Sequence, residues 1–390
     1  MRSRLLDPEQ IGQRAKILDS DLRKRVVGQD DAIQQIVSIY QTYLAGMNSP
    51  GHPVGNFLFL GPTGSGKTLL VEAMAESLIG HPHAVLKIDC GEFQHSHEIA
   101  KLVGSPPGYL GHRDTHPFFS QEALLARQTD LVKLNFVLFD EIEKASDALW
   151  NLLLGILDKA VLTTGDNRTV DFSCSMIFMT SNLGASEMNG ILNQDWGFAC
   201  RGTADGRTFD PGDERLNDKL VRASIEAARR KFSPEFMNRL DKIMVFRPLT
   251  EAALRQILAL ELNIVQKRIF SSLHGSAFVF TVSDAAKDFL LHEGTDLKYG
   301  ARYLKRVIDR YLVHPLSNLI GSAQVNGGDL IRVDWDPVAS RLSFVRAADG
   351  LPTYAMAEMV DSSVAQHLAS RSAGASGGQQ RSVNVRSIRR

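Results

Sequence analysis

Short apolar runs alternate with helix-like stretches over the first two thirds of the chain. Five runs have the length and apolar content of buried strands, at residues 56–60, 84–89, 135–139, 175–180 and 242–246. Strands that alternate with helices are typical of a mostly parallel sheet covered on both faces. The pattern therefore predicts an α/β fold for this part of the chain.

The pattern differs on either side of this part. Residues 7–46 have helical periodicity that is interrupted at residues 26–29, and a Pro- and Gly-rich linker follows. Beyond Pro248, helical stretches surround a strand candidate at residues 277–282 and a hairpin-like pair of strands that starts near residue 330. These features predict a smaller α+β domain after the α/β part.

Composition narrows the class of protein. The 390 residues contain 44 Lys and Arg against 44 Asp and Glu, so no basic field favours nucleic acid or an anionic membrane as partner. Cys90, Cys174 and Cys200 match no zinc spacing and no disulfide framework, which fits a reducing cytosol. With no apolar signal core and no long apolar run, we expect a soluble, cytoplasmic protein.

The most specific motif directly follows the first predicted strand. Residues 61–68 read Gly-Pro-Thr-Gly-Ser-Gly-Lys-Thr and lead into a helical stretch. Glycines let successive amides point at phosphate oxygens, and the helix N-terminus adds its positive end. The expected nucleotide-binding residues are Gly61, Pro62, Thr63, Gly64, Ser65, Gly66, Lys67 and Thr68. Lys67 would reach the β- and γ-phosphates and Thr68 would help to hold Mg²⁺; the alternative is a glycine-rich turn.

Two later strands end in polar residues that suit nucleotide chemistry. The run at 135–139 ends in Asp140 and Glu141; the first acid would hold Mg²⁺ through water, and the second would orient the attacking water. The alternative is a buried strand that happens to end in acids. The run at 175–180 is followed by Asn182, whose amide could contact the γ-phosphate or that water.

Taken together, these motifs resemble the Clp ATPases of the AAA+ superfamily. The resemblance extends over roughly residues 20–345 and is closest to the second ATPase module of the ClpB disaggregases and ClpC unfoldases. It implies a phosphate-loop AAA+ αβα sandwich with a smaller C-terminal α+β lid domain, and ATP and Mg²⁺ as cofactors. The implied domains are a lead-in at 1–55, the large ATPase domain at 56–247, the lid at 248–347 and a disordered basic tail at 348–390.

The resemblance assigns further residues. Val26 and Val27 look like the segment that packs on adenine, and Arg239 stands where the family has its arginine finger. A finger supplied in trans would require a ring; the alternative is a surface arginine paired with Glu235 or Asp241. Arg302 resembles the second sensor, which contacts the γ-phosphate; its alternative is a solvated basic face shared with Arg306 and Arg310.

Tyr109 is the expected substrate-binding residue. It lies in Gly-Ser-Pro-Pro-Gly-Tyr-Leu-Gly at residues 104–111, which looks like a pore loop whose aromatic ring grips polypeptide of any sequence. The alternative is a buried core tyrosine. The implied function is that of an ATP-driven unfoldase that threads protein clients through the pore of a homo-hexamer.

Two other functions stay open from the sequence. One is an ATPase regulatory subunit of a ClpP-type peptidase, because Trp196-Gly197-Phe198 loosely resembles a peptidase-docking tripeptide; the alternative there is a locally packed loop. The other is a AAA+ remodeller that opens a folded assembly without threading. Because only one ATPase module and no middle domain occur in the sequence, we expect a single-module form without cooperative disaggregation.

The end of the sequence is rich in Ser, Gly, Gln and Arg. Residues 361–390 contain Arg371, Arg381, Arg386, Arg389 and Arg390 against one acid, Asp361. Such a composition predicts disorder. The segment is either a solvating extension or a weak electrostatic tether for an acidic client or adaptor protein.

Overall fold

The computed structural model describes residues 7, 10–104, 117–197, 214–272, 277–295 and 300–359. The chain divides into two compact units. The first consists of residues 1–254 and 296–302, and the second of residues 255–295 and 303–390.

The described residues form fourteen α-helices and ten strands. The helices are α1 Gln13–Arg25, α2 Asp30–Leu44, α3 Lys67–Ile79, α4 Ala100–Val103, α5 Gln121–Leu125, α6 Asp147–Lys159, α7 Ala185–Gly197, α8 Glu214–Lys231, α9 Pro234–Met237, α10 Glu251–Ser272, α11 Asp284–Gly294, α12 Ala301–Ile308, α13 His314–Gly321 and α14 Thr353–Met359. The strands are β1 Gly55–Leu60, β2 Val85–Asp89, β3 Asn135–Asp140, β4 Val161–Thr163, β5 Thr169–Asp171, β6 Ser175–Ser181, β7 Lys242–Val245, β8 Val279–Val282, β9 Leu330–Asp336 and β10 Arg341–Ala348.

The first unit is built on a five-stranded parallel sheet with the order β2-β3-β6-β1-β7. Every residue of β1 and β6 is buried. Side chains alternate between two apolar clusters: Phe57 and Phe59 pack with α1, α2 and α3, whereas Leu58 and Leu60 pack with α4, α5 and α6. Burial of both faces explains why these strands are continuous apolar runs. The predicted α/β fold is confirmed.

The second unit contains a three-stranded sheet. β8 pairs with β9 in parallel, and β9 pairs with β10 in antiparallel fashion. The buried side chain of Gln266 in α10 donates to the Phe278 carbonyl at 2.8 Å and accepts from the Phe280 amide at 3.0 Å, which fixes the helix to the start of β8. The predicted small α+β domain is confirmed.

Three features differ from the sequence-based expectations. The antiparallel pair β4 and β5 was not predicted. The tail expected to be disordered from residue 348 instead continues into α14, because Met356 is only 3% exposed and packs with Phe270 and Val279. The backbone of Trp196 and Gly197 ends α7 rather than forming a loop, and Phe198 lies outside the described residues.

No helix within the described ranges has the length and apolar character needed to cross a bilayer.

Candidate active site

The site residues follow three neighbouring strands. β6 lies between β1 and β3, and all three run parallel, so their carboxyl ends meet at one edge of the sheet. Residues 61–68 follow β1, Glu141 follows β3 and Asn182 follows β6. Ligands of open α/β sheets bind at this carboxyl edge. The structure thus brings together the three motifs that are far apart in the sequence.

Glycine is required at two turns of the predicted phosphate-binding loop. Gly61 has φ +137°, and a β-carbon there would lie 2.4 Å from the carbonyl oxygen of Phe246. Gly66 has φ +101° and precedes α3, which begins at Lys67. Because only glycine adopts such angles freely, the loop can curl ahead of the helix N-terminus. Thr68 lies in the first turn of α3.

Lys67 is buried and fully hydrogen-bonded. Its ammonium donates to the carbonyl oxygens of Gly61 at 2.7 Å and Pro62 at 2.9 Å, and to Oδ1 of Asn182 at 3.0 Å. Burial lowers the pKa of Lys67 to about 8, although the nearby negative charges of Glu143 and Asp140 raise it. A desolvated ammonium at the end of a phosphate-binding loop interacts strongly with an anion.

The two acids after β3 have different partners. Asp140 accepts a hydrogen bond from the Thr180 hydroxyl and pairs with Lys87 at 3.0 Å. Glu141 has a left-handed backbone with φ 56°, and its carboxylate pairs with Lys144 at 2.5 Å. This hydrogen-bonded pair raises the pKa of Lys144. The turn at Glu141 points the chain away from the strand direction directly after Asp140.

Asn182 connects the ends of β6 and β3 with the phosphate-binding loop. Its side-chain oxygen accepts from Lys67, as above, and from the Thr63 hydroxyl at 3.3 Å. Its backbone amide donates to Oε1 of Glu143 at 3.1 Å. Hydrogen bonds to the side chain and to the backbone amide therefore both fix the position of Asn182.

The segment predicted to pack on adenine lies beside the same loop. Val26 is buried, Val27 is half-buried, and a methyl carbon of Val26 lies 3.8 Å from where a β-carbon on Gly66 would be. Gln29 donates to the carbonyl oxygens of Ser65 at 3.1 Å and Arg247 at 3.0 Å. The lead-in helices are thereby attached to the phosphate-binding loop.

Residues 300–302 of the first unit also lie against this loop. The Ala301 amide donates to the Gly64 carbonyl oxygen at 3.2 Å. Gly300 has φ +51°, and a β-carbon there would approach that oxygen to 3.0 Å. The positive charge of Arg302 is close enough to lower the pKa of Lys67.

Arg239 lies at the opposite edge of the sheet. It precedes β7, and its carbonyl oxygen accepts from the side chain of Asn56, at the start of β1, at 3.1 Å. Its guanidinium pairs with Glu235 at 3.1 Å and with Asp158 at 3.7 Å, while Nη1 is buried with no hydrogen-bond partner among the described residues. The local pairing considered from the sequence thus occurs with Glu235, but not with Asp241, which accepts from the Asn56 amide.

Tyr109 lies outside the described residues. The chain that flanks this segment is described, however. The amides of Phe118 and Phe119 donate to the carbonyl oxygens of Lys101 at 3.1 Å and Leu102 at 3.0 Å. The two ends of the segment therefore meet at one place on the first unit.

Sequence reasoning missed four residues that contact the predicted site: Lys87, Glu143, Lys144 and Thr180. Glu143 and Lys144 follow the two predicted acids within three residues, which was an available signal. Thr180 immediately precedes the end of β6 and carried no signal, because a threonine in an apolar strand is usually a packing residue.

The sheet, the glycine-dependent loop and the converging strand ends define a phosphate-loop nucleotide-binding protein of the AAA+ class. Residues 52–243 match the family model described as AAA domain (Cdc48 subfamily), and residues 249–333 match that of the C-terminal, D2-small domain, of ClpB protein. The chain belongs to the Clp family of AAA+ ATPases.

Known relatives agree with this assignment. The chain is 38% identical to the ATP-dependent Clp protease ATP-binding subunit ClpC of Staphylococcus aureus (strain USA300) over 82% of its own length and 36% of that protein. It is 38% identical to chaperone protein ClpB of Meiothermus ruber over 84% of its length and 35% of that protein. The chain thus spans about a third of the length of these curated relatives.

Solved structures show the same fold. The S. cerevisiae Hsp104:casein complex in its extended conformation matches with a TM-score of 0.70 and 27% identity, over 86% of this chain and 53% of that one. A closed-state reconstruction of Hsp104 with ATPγS and FITC casein matches with a TM-score of 0.68 and 27% identity, over 85% of this chain and 52% of that one.

Proposed function

We propose that this chain is the ATPase module of a protein unfoldase, which hydrolyses ATP and threads polypeptide through the pore of a homo-hexameric ring. The observation that carries the proposal is the convergence of Lys67, the Asp140-Glu141 pair and Asn182 at one sheet edge in a Clp-family chain. Similarity to Hsp104 structures solved with casein supports a protein as the client.

In the proposed reaction, water attacks the γ-phosphorus and the bond to the β–γ bridging oxygen breaks. Glu141 orients and polarises that water, while Lys67 neutralises charge on the β- and γ-phosphates. The Thr68 hydroxyl and, through water, the Asp140 carboxylate are hard oxygen donors that suit Mg²⁺. When bound, Mg²⁺ would neutralise charge on the same phosphate oxygens. Asn182 hydrogen-bonds the γ-phosphate or the water.

Two further contacts to the nucleotide belong to this proposal. Val26 and Val27 pack on adenine; the closeness of Val26 to Gly66 supports this placement. Arg302 contacts the γ-phosphate as a sensor. Its support is the Ala301 hydrogen bond to Gly64, which keeps the start of α12 beside the phosphate-binding loop.

Arg239 acts on the nucleotide of a neighbouring subunit. Its backbone carbonyl accepts a hydrogen bond from Asn56, near the start of β1, whereas the phosphate-binding loop begins at Gly61, after the end of β1. Five residue steps along the strand separate these points by roughly 16 Å, at about 3.3 Å per residue. A guanidinium at one edge of the sheet cannot serve a phosphate at the other, which supports action in trans and, with it, a closed ring.

Tyr109 grips the client polypeptide in the proposed pore. The residues on either side of its segment meet through the hydrogen bonds of Phe118 and Phe119, which supports a loop anchored at a firm base. An aromatic ring supplies apolar contact without sequence preference.

We also place this activity in the cytoplasm. Cys90 and Cys174 are free thiols in the part of the chain that the structure describes, and Cys174 is exposed. Exposed free thiols are typical of reducing compartments, where ATP is also available.

The chemistry is tested with Glu141→Gln and Lys67→Ala. Glu141→Gln is expected to keep ATP binding and to lower kcat by roughly 10²- to 10⁴-fold, because the glutamate acts only on water. Lys67→Ala is expected to lose binding, because the lysine neutralises phosphate charge in the ground state. Glu122→Gln, an exposed residue of α5, is the matched control.

Binding is measured by titration with a fluorescent ATP analogue, and turnover by phosphate release. Glu141→Gln protein that hydrolyses ATP at the wild-type rate would refute the assigned role of Glu141. Client capture provides the second readout: Glu141→Gln protein should retain a labelled unfolded protein such as casein in the presence of ATP without releasing it.

A second candidate function is that of the ATPase regulatory subunit of a ClpP-type peptidase. The observation that favours it is the 38% identity to a relative named as a subunit of Clp protease. Addition of a purified ClpP-type peptidase should then produce ATP-dependent degradation of casein. Substitution of Trp196 by alanine should abolish degradation but not basal ATPase activity if that residue docks the peptidase.

A further inference from the structure

Thr180 is a buried residue near the carboxyl end of β6 and is only 1% exposed. Its hydroxyl makes two hydrogen bonds, both to the end of β3. It donates to Oδ1 of Asp140 and accepts from the backbone amide of Glu141 at 3.1 Å. An ionised carboxylate only accepts, so the direction of both bonds is determined. One hydroxyl therefore contacts the carboxylate of Asp140 and the backbone of Glu141, the two acidic residues of the proposed site.

The Glu141 backbone depends on this contact. Its φ of 56° and ψ of 49° lie in the left-handed region, which is unfavourable for a residue with a side chain. Regular pairing of β3 with β6 stops at Phe139 and Met179, which is one residue before Asp140 and Thr180. The Thr180 hydroxyl thus takes the Glu141 amide hydrogen where the strand ladder no longer can. Strained backbone at a functional position persists only where its surroundings hold it.

A second link joins the same two chain ends. The Asn182 amide donates to Oε1 of Glu143 at 3.1 Å, while the other carboxylate oxygen of Glu143 is buried with no hydrogen-bond partner in the described part of the chain. The exits of β3 and β6 are thereby fixed to each other at both Thr180 and Asn182. The Thr180 bonds hold the Asp140 carboxylate directly and the Glu141 side chain only through its backbone; the Glu141 carboxylate itself pairs with Lys144.

We propose that Thr180 is a positioning residue for ATP hydrolysis, whose hydroxyl fixes the backbone from which the Glu141 side chain reaches the attacking water and holds the Asp140 carboxylate towards Mg²⁺. The inference rests on the proposed ATPase function. A hydroxyl that only satisfies buried hydrogen-bonding groups would affect stability and would not affect the chemical step in particular. A positioning hydroxyl affects the chemical step more than nucleotide binding, because misplacement of reacting groups by about 1 Å can cost roughly 10²-fold in rate.

The test compares Thr180→Val, which keeps the shape but removes both hydrogen bonds, with Thr180→Ser, which keeps the hydroxyl. We expect Thr180→Val to lower kcat roughly 10- to 100-fold with ADP affinity in the absence of Mg²⁺ changed less than about threefold. Thr180→Ser should stay within about threefold of wild-type kcat. Thermal unfolding establishes that both variants fold, and Thr180→Ala replaces Thr180→Val if the valine variant does not.

A double variant separates positioning from a general structural effect. In a Glu141→Gln background, Thr180→Val should lower the residual rate by a smaller factor than it lowers the wild-type rate, because one of the two groups that it positions is already absent. The inference would be overturned if the rate losses of Glu141→Gln and Thr180→Val simply multiplied in the double variant. It would also be overturned if Thr180→Ser lowered kcat as much as Thr180→Val.

The outcomes also distinguish this inference from the proposed function. If wild-type protein hydrolyses ATP, Glu141→Gln does not, and Thr180→Val is as active as wild type, only the role of Thr180 is refuted. If wild-type and Glu141→Gln proteins are equally inactive under assembling conditions, the proposed ATPase function itself fails.

Discussion

The two edges of the five-stranded sheet are organised differently. At the carboxyl edge, Lys67, Asn182, Asp140 and Glu143 are held by hydrogen bonds among buried and half-buried groups. At the amino edge, Arg239 is held by two partly exposed carboxylates, Glu235 and Asp158. Connected hydrogen bonds among half-buried groups hold a geometry more firmly than ion pairs to exposed carboxylates, which exchange readily with water or another charge. The carboxyl edge is therefore preorganised, whereas the side chain of Arg239 at the amino edge can change partners when a neighbouring subunit binds.

The largest expected effect concerns Arg239. Arg239→Ala should lower kcat in the assembled protein by about 10³-fold or more, because the finger stabilises charge on the transferring phosphoryl group. Mixing Arg239→Ala with Lys67→Ala subunits should restore part of the activity, since some interfaces then combine an intact finger with an intact loop. ATPase rates across mixing ratios, with ring formation verified by light scattering, measure this.

Absence of any recovery in rings of mixed composition would contradict action in trans. It would make Arg239 a purely local residue, and the difference between the two edges would lose its functional meaning.

The next effect concerns the backbone of the carboxyl edge. Gly61→Ala should destabilise the protein by about 2–4 kcal/mol, because the new β-carbon would meet the Phe246 carbonyl in a conformation that alanine disfavours. Gly155→Ala in α6 is the control: its β-carbon would meet no atom within 4 Å, so we expect a gain of about 0.5–1 kcal/mol. Urea unfolding measures both. A Gly61→Ala variant as stable as wild type would show that this edge is less rigid than described.

A smaller effect comes from the pKa of Lys67, which burial lowers to about 8 from an ordinary value of 10.5. Phosphate binds the protonated form, so ATP affinity should be greatest below this pKa and fall as pH rises through it, by about tenfold between pH 7 and 9. Lys67→Arg is the control, because arginine stays charged over this range. Equal pH dependence of the two proteins would contradict the role of Lys67 protonation.

The smallest effect is expected at the amino edge. Glu235→Gln removes one exposed partner of Arg239 and should change the free energy of unfolding by less than about 0.5 kcal/mol, since exposed ion pairs contribute little. Chemical denaturation in matched salt measures it. A loss above about 1.5 kcal/mol would mean that this edge is also rigidly organised, and the comparison would fail.

Much of the fold could be predicted from the sequence because buried parallel strands appear in it as short, continuous apolar runs. The runs before Gly61 and Asp140 are continuous and apolar, as strands covered on both faces must be. β4 and β5 were missed because three residues are too few to show a period. α14 was missed because its seven residues are too few to show a helical period before the Ser-, Gly- and Arg-rich segment that follows.

The site was predictable only in part. Lys67, Asp140 and Asn182 lie in local patterns that fix their chemistry. The contacts of Thr180 and the location of Arg239 depend on which strands are neighbours, here β3 beside β6 and β7 beside β1. Strand order joins residues far apart in the sequence, and no local pattern encodes it. These contacts and this location became visible only from the pairing of the strands.

β7 connects two regions that the proposed function assigns to different catalytic centres of a ring. Directly after its last residue, the Phe246 amide donates to the Leu60 carbonyl at 2.7 Å, and the Arg247 carbonyl accepts from Gln29, which also holds Ser65 of the chain's own loop. Arg239 precedes its other end. β7 is a four-residue edge strand that pairs only with β1 in the described sheet, so it connects the two regions directly along the backbone. In the proposed ring, a displacement of β7 would couple occupancy of a subunit's own phosphate-binding loop to the position of its Arg239 at the next subunit.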